Sequence, residues 1–325
     1  MPRSLPSPPP EWSSFTLGIF TIHTYALCIL LGIVVALLLT SRRMTRRGAE
    51  PGVVVDIVLW AVPLGIVGAR LYHVFTHPAD YFGDGKDLLA ILYIWEGGNA
   101  IFGGLIGGAV GAWIGCRLTG IRFWTFADAL APGLLFAQAI GRFGNWFNQE
   151  LYGQPTDLPW GLEIPSTNPA FPAGLPEGTL FHPTFLYEFL WNAFGGVLLL
   201  LLQREFRLQW GKLFALYLVW YGAGRIWFES IRVDPSEVIL GLRVNVWGAI
   251  VAVVLGIVLF LVQRRRHPGV EPGAYLAGRE WTRPDAIESR YTAKDFEDDG
   301  TDAASPVPGA PATSTASRTA GSGRS

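Results

Sequence analysis

Apolar residues run along this chain in seven long blocks, at 17–40, 53–76, 91–116, 123–146, 184–203, 211–231 and 244–262. Polar or Gly/Pro-rich breaks separate them. Each block approaches the roughly 20 residues that a helix needs to cross a hydrocarbon layer. The pattern predicts an all-α polytopic membrane protein of seven transmembrane helices. The third and fourth blocks are the least uniformly apolar. Within the third, Gly103, Gly107, Gly111 and Gly115 recur at i, i+4, a ladder of small residues that lets a neighbouring helix approach closely. The connection from Trp146 to His182 is long and rich in Pro, Gly, Trp and Phe, so a small external cap is expected there, between spans 4 and 5. The expected layout is an external N-terminal segment (1–16), a seven-span membrane domain (17–262, cap about 147–182) and a cytoplasmic tail (263–325). The tail is rich in Pro, Gly, Ala, Ser, Thr and acidic residues and is expected to be disordered.

Basic residues orient the spans. Arg42, Arg43, Arg46 and Arg47 follow the first block, Arg117 and Arg122 the third, Arg204, Arg207 and Lys212 the fifth, and Arg264, Arg265 and Arg266 the seventh. The opposite loops carry only Lys86, then Arg232 and Arg243. This bias predicts an outside N-terminus and a cytoplasmic C-terminus. The first block is longer than a signal-peptide core and no A-x-A-like site follows it, so it reads as a retained span. Half of the 325 residues are hydrophobic, 16% are charged, and mean hydropathy is +0.32, values that fit a membrane protein. A net charge of -1 argues against a nucleic-acid partner. Cys28 and Cys116 lie in apolar blocks and read as small hydrophobes. His23, His73, His77 and His182 show no metal-ligand spacing.

Charges inside hydrocarbon cost about 2.5–3.5 kcal/mol each on insertion scales and call for a reason. This chain places Arg70, Arg142, Arg225, Glu229 and Arg232 in or beside its apolar blocks. On a helix, Tyr221, Arg225, Glu229 and Arg232 share one face, as do Arg142, Asn145 and Gln149, with Asn148 and Glu150 at its margin. Each also has a bland reading. Arg142 sits near an interface and is able to snorkel; Arg225 and Glu229 can form a private ion pair; Arg70 can bond helix-packing carbonyls; Arg232 can reach headgroups; and His182 and Glu188 can cap the fifth span. Taken jointly, arginines from three separate spans and the absence of a metal cluster point to an anionic phospholipid headgroup, because guanidinium is a planar fork suited to phosphate. Asn145, Asn148 and Glu150 are placed to hold headgroup hydroxyls.

"GRFGNWFNQELYG" (141–153) resembles the signature G-R-x-G-N-x-x-N-x-E-x-x-G of prolipoprotein diacylglyceryl transferases. "HTYALCILLGI", "GARLYHV", "IWEGGNAIFGGLIGG", "HPTFLYE" and "YGAGRIWFESIR" extend the likeness across 17–262. The resemblance implies a bacterial plasma-membrane enzyme that moves the diacylglyceryl group of phosphatidylglycerol to the thiol of a prolipoprotein's lipobox cysteine, releasing glycerol 1-phosphate. It implies Arg142 as the phosphatidylglycerol-binding arginine, Arg225 as a second essential arginine, and essential roles for Tyr25, Asn145 and Gly153. Glu150 and Glu229 match acidic positions regarded as important. Arg70, Asn148 and His182 complete the expected lipid-binding set, and Arg142, Arg225, Tyr25 and Glu150 the expected catalytic one. Many members carry a histidine, often proposed as a base, where this chain has Phe102, so no catalytic histidine carries over.

In the implied chemistry a cysteine thiolate attacks the glyceryl carbon and negative charge moves to the leaving phosphate, where fixed arginines stabilise it. The thiol proton goes to ambient base under the arginine field, or to His23, His73, His182, Glu150 or Tyr25. No metal or organic cofactor is required; the expected partners are phosphatidylglycerol, the precursor's lipobox segment and membrane lipids. The competing classes are a transporter of an anionic solute or lipid, which calls for internal repeats that this chain does not show, and a non-catalytic lipid-binding scaffold.

Overall fold

The computed structural model describes residues 4–18, 20–83, 85–94, 97–98 and 100–282. Within them lie seven α-helices: α1 (Thr24–Arg46), α2 (Val53–Thr76), α3 (Ile101–Thr119), α4 (Phe123–Phe147), α5 (Thr184–Phe206), α6 (Lys212–Ile231) and α7 (Val244–Arg266). Six are long and apolar enough to cross a membrane; α6, with Arg225 and Glu229 in its second half, is the exception. The helices turn apolar side chains outward, among them Leu30, Leu31 and Leu38 of α1 and Val251, Val254 and Leu255 of α7. That is the surface a lipid-embedded helix presents.

Two expected helix boundaries are corrected. Residues 17, 18 and 20–23 belong not to the first helix but to a hairpin, in which strand Ser14–Leu17 pairs antiparallel with Phe20–His23. The stretch "FTLGIFTIH" alternates β-branched and aromatic residues around Gly18, whose φ of +65° makes the turn. The third block begins its helix at Ile101 rather than 91; Leu88–Leu92 form a short 3-10 turn, and the glycines at 97 and 98 both take positive φ.

Helices pair through small residues. The predicted glycine ladder of α3 lies on the α2 backbone. A Cβ on Gly103, Gly107 or Gly111 would fall within 2.2–2.4 Å of the carbonyl oxygen of Gly68, Leu64 or Trp60. α1 and α4 run antiparallel along a similar seam, with Gly32 against Ala137, Gly133 against Ala36 and Gly144 against Tyr25.

Where α4 ends and α5 begins, the connection folds compactly. Ser4–Leu5 pairs parallel with Gly161–Glu163, which pairs antiparallel with Leu180–Phe181. Tyr152, Leu162, Ile164, Phe181 and Phe185 form its core, and burial raises the pKa of Tyr152. Residues 283–325 lie outside the described ones. The part of the expected disordered tail that is described contradicts that expectation. After α7, Ala274 and Tyr275 are buried in a core with Met44, Val54, Ile57, Cys116 and Phe126. Tyr275 pairs with Ile121 as an isolated bridge, and Arg122 donates its backbone N–H to Ala274 O at 2.9 Å.

Candidate active site

Arg142 lies in the penultimate turn of α4 and Asn145 in its last. Beyond the helix, Gln149 and Leu151 adopt φ values of +51° and +58°. Non-glycine residues hold this left-handed conformation only when the surroundings impose it. Here Gln149 Nε2 donates to Pro8 O at 2.7 Å, and Thr184 Oγ1 donates to Leu151 O. The reversal swings Glu150 back under the helix. Its Oε1 accepts from Asn145 Nδ2 at 2.9 Å and Asn148 Nδ2 at 3.2 Å. The polar residues of "GRFGNWFNQELYG" thus fold onto one another.

α5 and α6 bring the opposite wall. They are clamped by a reciprocal contact: the Trp191 and Trp220 rings stack at 4.3 Å, and each indole N–H donates to the other's backbone carbonyl at 3.2 Å. Trp191 occupies the space beside Gly224 and Trp220 that beside Gly195. Glu188 lies three residues before Trp191, and Arg225 directly follows Gly224. The clamp therefore fixes both. Glu188 Oε2 is 2.7 Å from Arg142 Nη2 and 3.9 Å from Arg225 Nη1. Two guanidiniums from different helices meet on one buried carboxylate.

A second carboxylate, Glu229, is fully buried and gathers three arginines. Its Oε2 lies 2.9 Å from Arg225 and 3.6 Å from Arg232, and its Oε1 lies 3.2 Å from Arg243 and accepts from Asn245 Nδ2 at 3.0 Å. Isolated charges would not survive such burial, whereas a mutually neutralising cluster does. Arg232 also forks onto Asp234, through Nε at 2.6 Å and Nη2 at 2.8 Å. It is buried, which corrects the expectation that it reaches headgroups.

The arginines therefore fall into two groups. Arg232 and Arg243 are tied up in the knot around Glu229 and Asp234. Arg70 donates to the carbonyls of Ala90, Ile91, Gly97 and Gly98. It pins the chain between α2 and α3 and is not brought to the cluster. Arg142 and Arg225 differ. Each keeps 16% of its side chain exposed, and the hydrogen bond of Arg142 to Asn145 Oδ1 is a long 3.4 Å. Both have N–H groups left for an anion.

The other expected site residues divide similarly. Tyr25, in the first turn of α1, lays its ring on Gly144, 2.5 Å from where a Cβ would stand, beside the Arg142 turn. Gly153 acts through its backbone: its N–H donates to His182 O at 2.9 Å, and a Cβ would stand 2.8 Å from His182 Cβ and 3.0 Å from Ile231 O. His182 does not join the arginines. Its Nδ1 lies 3.2 Å from Tyr187 Oη, which accepts from Trp160 Nε1 at 2.9 Å. Both line an apolar groove of about 550 Å³ with Leu186, Leu190, Trp227 and Ile231, on a different face of α5 from Glu188. Phe102 packs against Gly248 of α7 and near Tyr72. Glu188, weighed in the sequence as a cap of the fifth span, was not among the expected site residues, although it ends the family-like stretch "HPTFLYE" and stands one turn into an apolar helix. Among the described residues, no three His, Cys, Asp or Glu side chains gather as metal ligands would.

Residues 13–262 match the family profile described as prolipoprotein diacylglyceryl transferase. Three relatives carry the name phosphatidylglycerol–prolipoprotein diacylglyceryl transferase. The protein from Leifsonia xyli is 64% identical over 299 residues, covering 89% of this chain and 90% of its own. One from Streptomyces coelicolor is 49% identical over 83% and 85% of the two chains. One from Bifidobacterium longum is 48% identical over 86% and 92%.

Proposed function

The chain belongs to the prolipoprotein diacylglyceryl transferase family, and from that membership we infer that it transfers the diacylglyceryl group of phosphatidylglycerol to the lipobox cysteine of prolipoproteins. It is a transferase and a multi-pass membrane protein. The cysteine sulfur, as thiolate, forms a C–S bond with the glyceryl carbon that bears the phosphate. The C–O bond breaks, its electron pair stays on the departing glycerol 1-phosphate, and the thiol proton passes to base. Charge thereby moves from sulfur to phosphate. Donors fixed around that phosphate favour the transition state over the ground state.

The observation that carries this reading is the pair Arg142 and Arg225, held together on Glu188 with N–H groups to spare. Asn145, Asn148 and Glu150 supply the amide and carboxylate groups for the glycerol hydroxyls, and Tyr25 walls the Arg142 side. Glu229 holds Arg225 from behind, and Gly153 sets the approach of the loop to α5 and α6. Arg70 and His182 serve in the surrounding frame rather than on the lipid.

The topology we favour has seven spans. α6 crosses with its charges turned into the protein, against Glu188, Arg232 and Arg243, rather than into lipid. Arginines at the ends of α1, α3, α5 and α7 support a cytoplasmic side for those ends. The N-terminus and the folded 147–182 connection are then external on the plasma membrane of a bacterium. The deciding assay is transfer of labelled diacylglyceryl from phosphatidylglycerol to a lipobox peptide by the purified full-length protein. Transfer by wild type and its loss in Arg142→Ala is the expected result; lipid binding without any modified cysteine would refute it.

A further inference from the structure

Glu188 is buried and its carboxylate meets two cations that would otherwise repel each other across the gap between α4 and α6. Its carboxylate faces these two guanidiniums, with Arg232 close enough to feel its charge, whereas Glu150 and Glu229 accept amide hydrogen bonds. Resting on the transfer reading above, we propose that Glu188 is a positioning residue: its carboxylate sets the spacing of Arg142 and Arg225 and tunes their charge for the phosphodiester.

Two consequences follow from its place. Without the negative charge, the guanidiniums separate, and the donors no longer converge on one phosphate. The spacing is fixed at the α5 end by the Trp191–Trp220 clamp, so it belongs to the folded site before lipid arrives. The second consequence concerns binding strength. Arg142, Arg225 and Glu188 together carry one net positive charge, with Glu229 offsetting Arg225 from its far side at 2.9 Å. A phosphodiester brings one negative charge in the ground state, and more accumulates on it as the carbon–oxygen bond breaks. Removing the Glu188 charge raises the net positive charge at the phosphate from the outset. Ground-state affinity rises while the transition-state geometry deteriorates, and binding without geometry does not raise turnover.

The experiment compares full-length wild type, Glu188→Gln and Glu188→Asp, varying phosphatidylglycerol at a fixed lipobox-peptide concentration, with thermal unfolding recorded for each. For the Gln variant, kcat is expected to fall about tenfold or more while KM for the lipid stays level or falls. Glu188→Asp keeps the charge on a shorter arm and recovers part of kcat. All three should unfold within a few degrees of one another. A Gln variant with wild-type kcat overturns the proposal. So does a KM that rises in step with the loss, or an Asp variant as inactive as Gln with both unfolding early, since those results describe a packing residue. Wild type that transfers nothing would instead sink the transfer reading, and this inference with it.

Discussion

Arg70 and Arg142 bring the same charge into apolar sequence, and they diverge in what each N–H can donate to. Four backbone carbonyls engage Arg70, whereas Arg142, among the described residues, has one ion pair and one long hydrogen bond. The two alanine variants should therefore fail in different ways. On the proposed reading, Arg142→Ala removes a donor to the developing charge, and a loss of about 100–1000-fold in transfer is expected, or roughly 2.7–4 kcal/mol, with the unfolding temperature unchanged. Arg70→Ala removes the shared donor of four carbonyls on half-buried or exposed residues, a loss of about 1–3 kcal/mol in all. It should lower the unfolding temperature and reduce transfer only in proportion to folded protein. Labelled-lipid turnover beside thermal unfolding separates them. Arginine in an apolar block announces itself in sequence, so Arg142 and Arg225 were legible. Glu188 was not: a carboxylate near a helix start, after His-Pro-Thr, is ordinary there by dipole and capping arguments. Only the fold shows that it faces two guanidiniums.

Elements were legible to the extent that they obey one periodicity. α2, α4, α6 and α7 begin within a residue or two of the expected positions because their apolar blocks start sharply beside a Gly or Arg. The start of α1 was missed because Phe15 to Ile22 is as hydrophobic as a span yet pairs with itself across Gly18. The α3 ladder was readable as packing, and its partner α2 supplies the backbone that it was built to meet. The α5–α6 clamp could not be foreseen, since Trp191 and Gly224 are 33 positions apart and nothing local links them. It carries a sharp expectation. A methyl on Gly224 would stand 2.3 Å from Trp191 Nε1, so Gly224→Ala must push the indole aside at about 1–3 kcal/mol. Arg225 and Glu188 move with it, and both stability and turnover should drop. Adding Trp191→Phe frees that space, so the double variant should recover part of the loss in unfolding temperature. Strictly additive effects of the two changes would dissociate the clamp from the contact.

At the scale of the whole molecule, the segment after α7 ties together connections that are far apart in sequence. Glu50 N–H donates to Tyr275 Oη at 3.0 Å from the α1–α2 turn. Leu276 N–H donates to Gly120 O at 2.8 Å, and Arg122 Nε to Tyr275 O at 2.6 Å, in the α3–α4 turn. Glu271 accepts from Trp210 N–H and Thr125 Oγ1, both at 2.8 Å, joining the α5–α6 turn and the start of α4. Composition concealed this, because the attachment relies on backbone groups and on a few buried side chains, Glu271, Ala274 and Tyr275 among them, and a count of apolar residues registers neither well. Truncation tests it. A chain ending at Thr282 keeps every one of these contacts and should unfold and turn over like the full-length protein. A chain ending at His267 uncovers the pocket of Tyr275, worth about 1.5–3 kcal/mol for a large side chain, and strands buried donors and acceptors at about 1–3 kcal/mol each. Its unfolding temperature should fall by several degrees even though every helix and Arg142, Arg225 and Glu188 remain. Detergent-solubilised protein followed by thermal unfolding gives the comparison. Equal stability of the two truncated chains would mean that the segment rests on the bundle without holding it.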